Sequence, residues 1–151
     1  PDAGNWKAGD RVYSAATLSG AYAEKALCGA GQIFRLPDEL TFSQGAALGV
    51  PAATAWRGLF IRGRALAGER VLIHGASGSV GQAAVQLAHG AGMVVVGTAG
   101  TKEGCALIEK YGAYACNHNQ KGYEEELMSV SKGRKVGELT RRIRRQQAGR
   151  G

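Results

Sequence analysis

Cysteine is scarce in this chain. Cys28, Cys105 and Cys116 are the three in 151 residues, they lie far apart, and no CxxC pair or Cys/His cluster has the spacing of zinc ligands. That usage argues against a metal site or a disulfide framework and fits a reduced, intracellular protein. A long hydrophobic run is lacking too: no apolar stretch approaches the roughly 18 residues needed to span a bilayer. Nor does the opening segment show the charged, then apolar, then small-residue order of a signal peptide. The expectation is a soluble, cytoplasmic protein.

Residues 1–131 carry no net charge, with eleven Lys and Arg against eleven Asp and Glu. The +7 of the whole chain therefore sits in residues 132–151, where eight basic residues face only Glu138. The run Arg141-Arg142-Ile143-Arg144-Arg145 can attract phosphates, acidic lipid surfaces or partner proteins. With no aromatic residue beside it, it offers bases no stacking platform. High charge and low hydrophobicity are the signature of disorder, so 132–151 is expected to be a solvated, disordered tail.

Glycine, by contrast, is plentiful, and its placement is informative. In Arg70 to Gln86, RVLIHGASGSVGQAAVQ, a short apolar run meets a glycine-punctuated turn and then an apolar pattern at helical spacing. Val71, Leu72 and Ile73 suit a buried parallel strand, and Val80, Ala84, Leu87, Ala88 and Ala91 fall on one helical face. Gly75, Gly78 and Gly81 stand three apart where a backbone must turn sharply, approach a pyrophosphate, or pack helix against strand. The first turn of the following helix leaves N–H groups unpaired at the positive end of its dipole, so Ser77, Gly78, Ser79, Val80 and Gly81 form a candidate anion site. The spacing GxxGxxG is itself a weak signal; the strand before it and the helix after it give it weight.

A dinucleotide fold places a second strand roughly 20 residues on, and its tip selects between the nicotinamide cofactors. Met93 to Thr98 fits that strand, and the tip reads Thr98-Ala99-Gly100-Thr101-Lys102. No acid stands there to accept bonds from a ribose 2′-hydroxyl. Small residues and Lys102 leave room and positive charge for a 2′-phosphate, which favours NADPH, although Glu103 is adjacent and Lys102 is equally read as a solvated lysine opening a helix.

Upstream, Asp10–Ser14, Tyr22–Leu27 and Gln32–Leu36 read as strands, and Gln44 to Ile61 as two short helices broken at or before Pro51. Trp56 is expected in a core. His74 ends the first strand beside the loop and is read as structural, and His89 as a surface residue.

Several blocks in order, Gly9-Asp10-Arg11-Val12, GAYAEKAL, RLPDELTFSQGAALGVPAATAWRGLF, VLIHGASGSVGQAA and GTAGTKEG, resemble the zeta-crystallin type of quinone oxidoreductase, in the medium-chain dehydrogenase/reductase superfamily. The resemblance runs from about residue 5 to about residue 131. It implies an α/β fold in which residues 1–45 form the end of a GroES-like β domain and 46–131 the N-terminal half of a Rossmann domain. It further implies NADPH as reductant, a quinone as substrate, no zinc, and hydride or electron delivery with no protein nucleophile, so no catalytic residue is assigned. Carried over by position, Ser77, Gly78, Ser79 and Val80 match the phosphate loop, Gly100 the second-strand turn and His118 a cofactor-contacting position near the third strand. Thr54 lies where related enzymes contact the cofactor, and is equally read as a helical Thr bonding its own backbone.

The chain departs from the family at Lys25, where relatives often have an aromatic residue, and at Ala52-Ala53, where they have bulkier ones. Against the family pattern it reads as a partial chain, entering inside the catalytic domain after the substrate-side tyrosine and asparagine and lacking the fourth Rossmann strand. The family also implies homo-oligomers and, as a second class of function, association with AU-rich RNA, to which the arginine run would add phosphate affinity; a lens-type structural protein or an unstable product without function is the third.

Overall fold

The computed structural model describes residues 5–130. The expectation of a disordered tail at 132–151 lies outside the described residues. The chain divides between Ala53 and Thr54 into two units.

In the first unit, β1 (Val12–Ser14) pairs antiparallel with β2 (Ile33–Arg35), Tyr13 opposite Phe34. Their rings stack with centroids 5.5 Å apart, the side-chain pairing that stabilises neighbouring strands. Arg11 donates to the carbonyls of Pro37, Asp38 and Leu40, which fixes the turn after β2. Helix α1 (Phe42–Ala47) begins with a capping box: Thr41 accepts from the Gln44 N–H, and Gln44 returns a bond to the Thr41 N–H. Buried Leu36 packs on this helix at Gly45, where a Cβ would stand 2.7 Å from its Cδ1.

The segment Tyr22–Leu27 is not a strand. The N–H groups of Leu18 and Ser19 both bond the Leu27 carbonyl, and the Leu27 N–H goes to Ser19 Oγ, so these groups close a loop instead of a ladder. Tyr22 and Leu27 are exposed and find no cross-strand neighbour.

Beyond α1 the backbone widens into i→i+5 turns over Leu48–Ala52 and again over Arg57–Arg62, with α2 (Ala53–Trp56) between them. The helical path breaks at Gly49, where ψ is −107°, two residues before Pro51. Trp56 does not enter a core: it is half exposed and rests on Phe60, while Ala55 and Leu59 point inward. A wide turn rotates successive residues by less than an α-helical turn does, so spacing counted at 3.6 residues loses its register here.

The second unit contains three parallel strands, β3 (Arg70–Ile73), β4 (Val94–Ala99) and β5 (Tyr114–Asn117), in the order β3-β4-β5. Helices α3 (Ser79–Gly90) and α4 (Lys102–Lys110) make the crossovers, and α5 (Tyr123–Val130) follows β5. Alternate residues of β4 serve opposite faces. Val95 joins Ala84, Val85, Ala88 and Ile108 in one cluster, and Val96 joins Cys116 and Leu127 in the other. This is an α/β arrangement, a partial Rossmann domain, in which β3 is paired on one side only among the described residues. On α3 the buried positions are Gly81, Ala84, Val85 and Ala88; Val80 is exposed and Leu87 half-buried, so the inward face is turned from the one the sequence suggests. No helix among the described residues is long and apolar enough to cross a membrane.

Candidate dinucleotide site

Parallel strands linked by crossovers all end at the same side of the sheet, and in open α/β folds ligands bind outside those carboxyl ends. Three loops meet the same need here, each by a different local device.

After β3 the chain turns sharply through Gly75, whose φ of +64° is a left-handed conformation costly for other residues. Gly78 then stands as N-cap of α3, donating its N–H to the Gly75 carbonyl at 3.0 Å. It caps with no side chain, so the N–H groups of Ser79, Val80 and Gly81 carry no capping partner from it. Gly81 has a different task. A Cβ there would overlap the Gly75 carbonyl oxygen and lie 2.6 Å from Ala76 Cα, so the helix can approach the loop only without a side chain. Gln82 ties the loop back by donating from Nε2 to the Ser77 carbonyl.

Thr98, at the tip of β4, holds this loop from the neighbouring strand. It is the buried polar residue of the described core. Its carbonyl accepts the Ala76 N–H at 2.8 Å, and its Oγ1 accepts the Gly75 N–H at 3.3 Å and lies 3.4 Å from His74 Nδ1. His74 thus has a structural contact, while His89 is exposed on α3. The signal for Thr98 was a single hydroxyl in an otherwise apolar strand.

After β4, Thr101 caps α4 by accepting from the Gly104 N–H, and Lys102 and Glu103 lie exposed in the first turn. Gly104 and Ser77 are neighbours: a Cβ on Gly104 would come within 3.1 Å of Ser77 Oγ. The two helix starts are therefore adjacent. After β5, His118 donates its N–H to the Ala99 carbonyl. Asn119 closes an Asx turn on Asn117 and donates from Nδ2 to the Gly100 carbonyl at 2.9 Å. A Cβ on Gly100 would stand 3.2 Å from both His118 Nε2 and Asn119 Nδ2. An open depression beside these residues is lined by His118, Asn119, Gln120, Lys121, Glu124 and Glu125.

Gly75, Ser77, Gly78, Ser79, Val80, Gly81, Gly100, Lys102 and His118 thus lie on the loops and helix starts at one end of the sheet. Thr54 is exposed on α2 and belongs to none of those loops. Asn119 was missed, and its signal was an Asn two residues beyond a strand-ending Asn. Burial raises the thiol of Cys116 above its ordinary range, and Glu126 and Cys105 add to the rise. Cys105 is raised by burial, then by Glu109 and Glu126. Both are thereby kept protonated, in contrast with a nucleophilic cysteine. No group of three or more His, Cys, Asp or Glu able to hold a metal occurs among the described residues.

No protein-family model matches the chain. Among curated proteins, the quinone oxidoreductase of Mus musculus is 50% identical over 127 residues, covering 83% of this chain and 38% of the relative. That of Homo sapiens is 45% identical over 127 residues, covering 83% and 39%. Over these residues the chain is similar to quinone oxidoreductases. It spans about two fifths of the length of these relatives. Among solved structures, Escherichia coli quinone oxidoreductase complexed with NADPH is 30% identical with a TM-score of 0.71, covering 86% of this chain and 40% of that one.

Proposed function

We propose that residues 54–130 supply the phosphate-binding half of an NADPH site in a quinone reductase, with residues 1–45 the end of its catalytic domain. The observation that carries this reading is the glycine-lined start of α3 standing beside a β4 tip that has no acidic residue before Lys102. Three features fit a dinucleotide. Gly78 leaves the first-turn N–H groups of α3 uncapped, as an oxyanion requires. Apart from its own chain neighbours, no heavy atom lies within 4 Å of where a Cβ of Gly75 would be, so the loop surface there is open. Lys102 lies exposed in the first turn of α4, beside Glu103, where its ammonium is free to reach a phosphate.

In this reading the N–H groups of Ser79, Val80 and Gly81 hold the pyrophosphate, and Gly100, Lys102 and His118 receive the adenosine ribose with its 2′-phosphate. Thr54 is assigned to the nicotinamide side by its position in the family pattern. Bound NADPH supplies the hydride; the protein orients it and excludes water. Thr98 keeps the loop in place by taking the Gly75 and Ala76 N–H groups, and no side chain need act as acid, base or nucleophile. The named activity of the relatives supports a quinone as acceptor. No observation here favours RNA binding.

Calorimetric titration of the 151-residue chain with NADPH and with NADH tests this, once circular dichroism has shown cooperative folding. Saturable binding with NADPH preferred is expected. A folded chain that binds neither overturns the reading.

A further inference from the structure

Asn119 occupies an unusual position for a loop residue: it belongs to the β5 loop, yet its side chain is committed to the tip of β4. Its Nδ2 donates to the Gly100 carbonyl at 2.9 Å, and its own N–H is held by Asn117 Oδ1 at 3.0 Å. The amide orientation follows from the partner, since a carbonyl can only be met by the NH2 end. An sp² amide nitrogen carries two hydrogens. One is taken by Gly100, and the planar group then fixes the direction of the other.

The Gly100 carbonyl would otherwise present a bare acceptor at the strand tip, which opposes a bound anion. With Asn119 in place that acceptor is satisfied and a donor stands there instead. His118 Nε2 converges on the same glycine: the absent Cβ of Gly100 would lie 3.2 Å from it and 3.2 Å from Asn119 Nδ2. Any side chain at residue 100 would push both groups outward.

We propose that Asn119 is a specificity-determining residue that favours a 2′-phosphorylated dinucleotide over its 2′-hydroxyl counterpart, by capping the Gly100 carbonyl and offering its second amide hydrogen to the phosphate. This rests on the NADPH reading and adds to it a donor that the glycine motif and Lys102 do not supply. The 2′-phosphate meets the amide only in NADPH, so the contribution of Asn119 separates the two cofactors instead of strengthening both.

The test is calorimetric titration of wild type, Asn119→Leu and Asn119→Asp with NADPH and with NADH, alongside thermal melts. Asn119→Leu keeps the γ-branched shape without the donor and is expected to weaken NADPH roughly tenfold, the loss of one hydrogen bond to a charged group, with NADH altered less than about twofold. Asn119→Asp replaces the donor by a carboxylate and should weaken NADPH further, again sparing NADH. Equal weakening of both cofactors by Asn119→Leu would make Asn119 a merely structural clasp and overturn the proposal, as would unchanged NADPH affinity. Wild type that binds neither cofactor would instead remove the NADPH reading itself, and this assignment with it.

Discussion

The two units of the chain solve the burial problem in opposite ways. Within 5–53, Leu36 is the fully buried apolar side chain of the described core, while Leu18, Tyr22, Leu27, Phe34, Phe42 and Val50 stand exposed. Within 54–130, the buried set is dense and built of small residues, with Ala76, Ala84, Val85, Ala88, Val95 and Val96 among its members. The first unit is held by polar fixtures, Arg11 on three carbonyls and the Thr41 capping box. The second is marked by close approaches at Gly81, Gly97 and Gly104, where an added Cβ would stand less than 3 Å from a neighbouring atom. Close packing of small residues keeps the strand-end loops in fixed relation, which is what a phosphate site requires.

The largest effect expected is therefore in the second unit. Gly81→Val drives a side chain into the Gly75 carbonyl and Ala76, and it should cost about 3 kcal/mol or more, or prevent folding, as read by urea titration with circular dichroism. A stable Gly81→Val chain would mean that α3 does not pack as described.

In the first unit, Leu36→Ala should cost roughly 2–4 kcal/mol, as for a fully buried leucine. Trp6 and Trp56 lie in different units, so single-tryptophan variants followed by fluorescence report each one separately. The loss is expected in the Trp6 signal; a shift of the same size in both signals would erase the contrast between the units. Thr41→Ala removes the cap of α1 and is expected to cost about 1 kcal/mol, again read through Trp6.

The smallest effect is on pH dependence, and it belongs to the second unit. Folding raises the thiols of Cys105 and Cys116, so the folded state binds their protons more tightly than the unfolded state does. The associated stability is whole below the ordinary thiol range and is lost as pH rises through the raised values. Denaturant midpoints should fall on the alkaline side, and Cys116→Ala should flatten that limb. A midpoint that stays level there in the unsubstituted chain would contradict the burial of these thiols.

What could be read from sequence follows the same division. The β3 loop and α3 were legible because a β-branched run, a left-handed glycine at Gly75 and a cap at Gly78 are local requirements. The inward face of α3 was not, because Val80 and Val85 are equally apolar and only the approach at Gly81 decides which turns inward. Trp56 was misplaced by the wide turns on either side of α2, which shift the helical register. Tyr22–Leu27 has strand-like residues, but a strand also needs a partner edge, and that is not a local property. Thr98 and Asn119 act across loops more than fifteen residues apart in sequence, so neither had a neighbour in the sequence to reveal it.

In the proposed site the β3 loop holds the pyrophosphate, and the β4 and β5 loops together hold the 2′-phosphate. Amide chemical-shift mapping of the chain with NADPH and with NADH tests it most directly. Ser77 to Gly81 are expected to shift alike with both cofactors, whereas the shifts at Gly100, Lys102, His118 and Asn119 are expected to be clearly larger with NADPH than with NADH. Unmoved amides at Ser77 to Gly81 with a bound cofactor, or identical patterns for the two at Gly100 and Asn119, would contradict it.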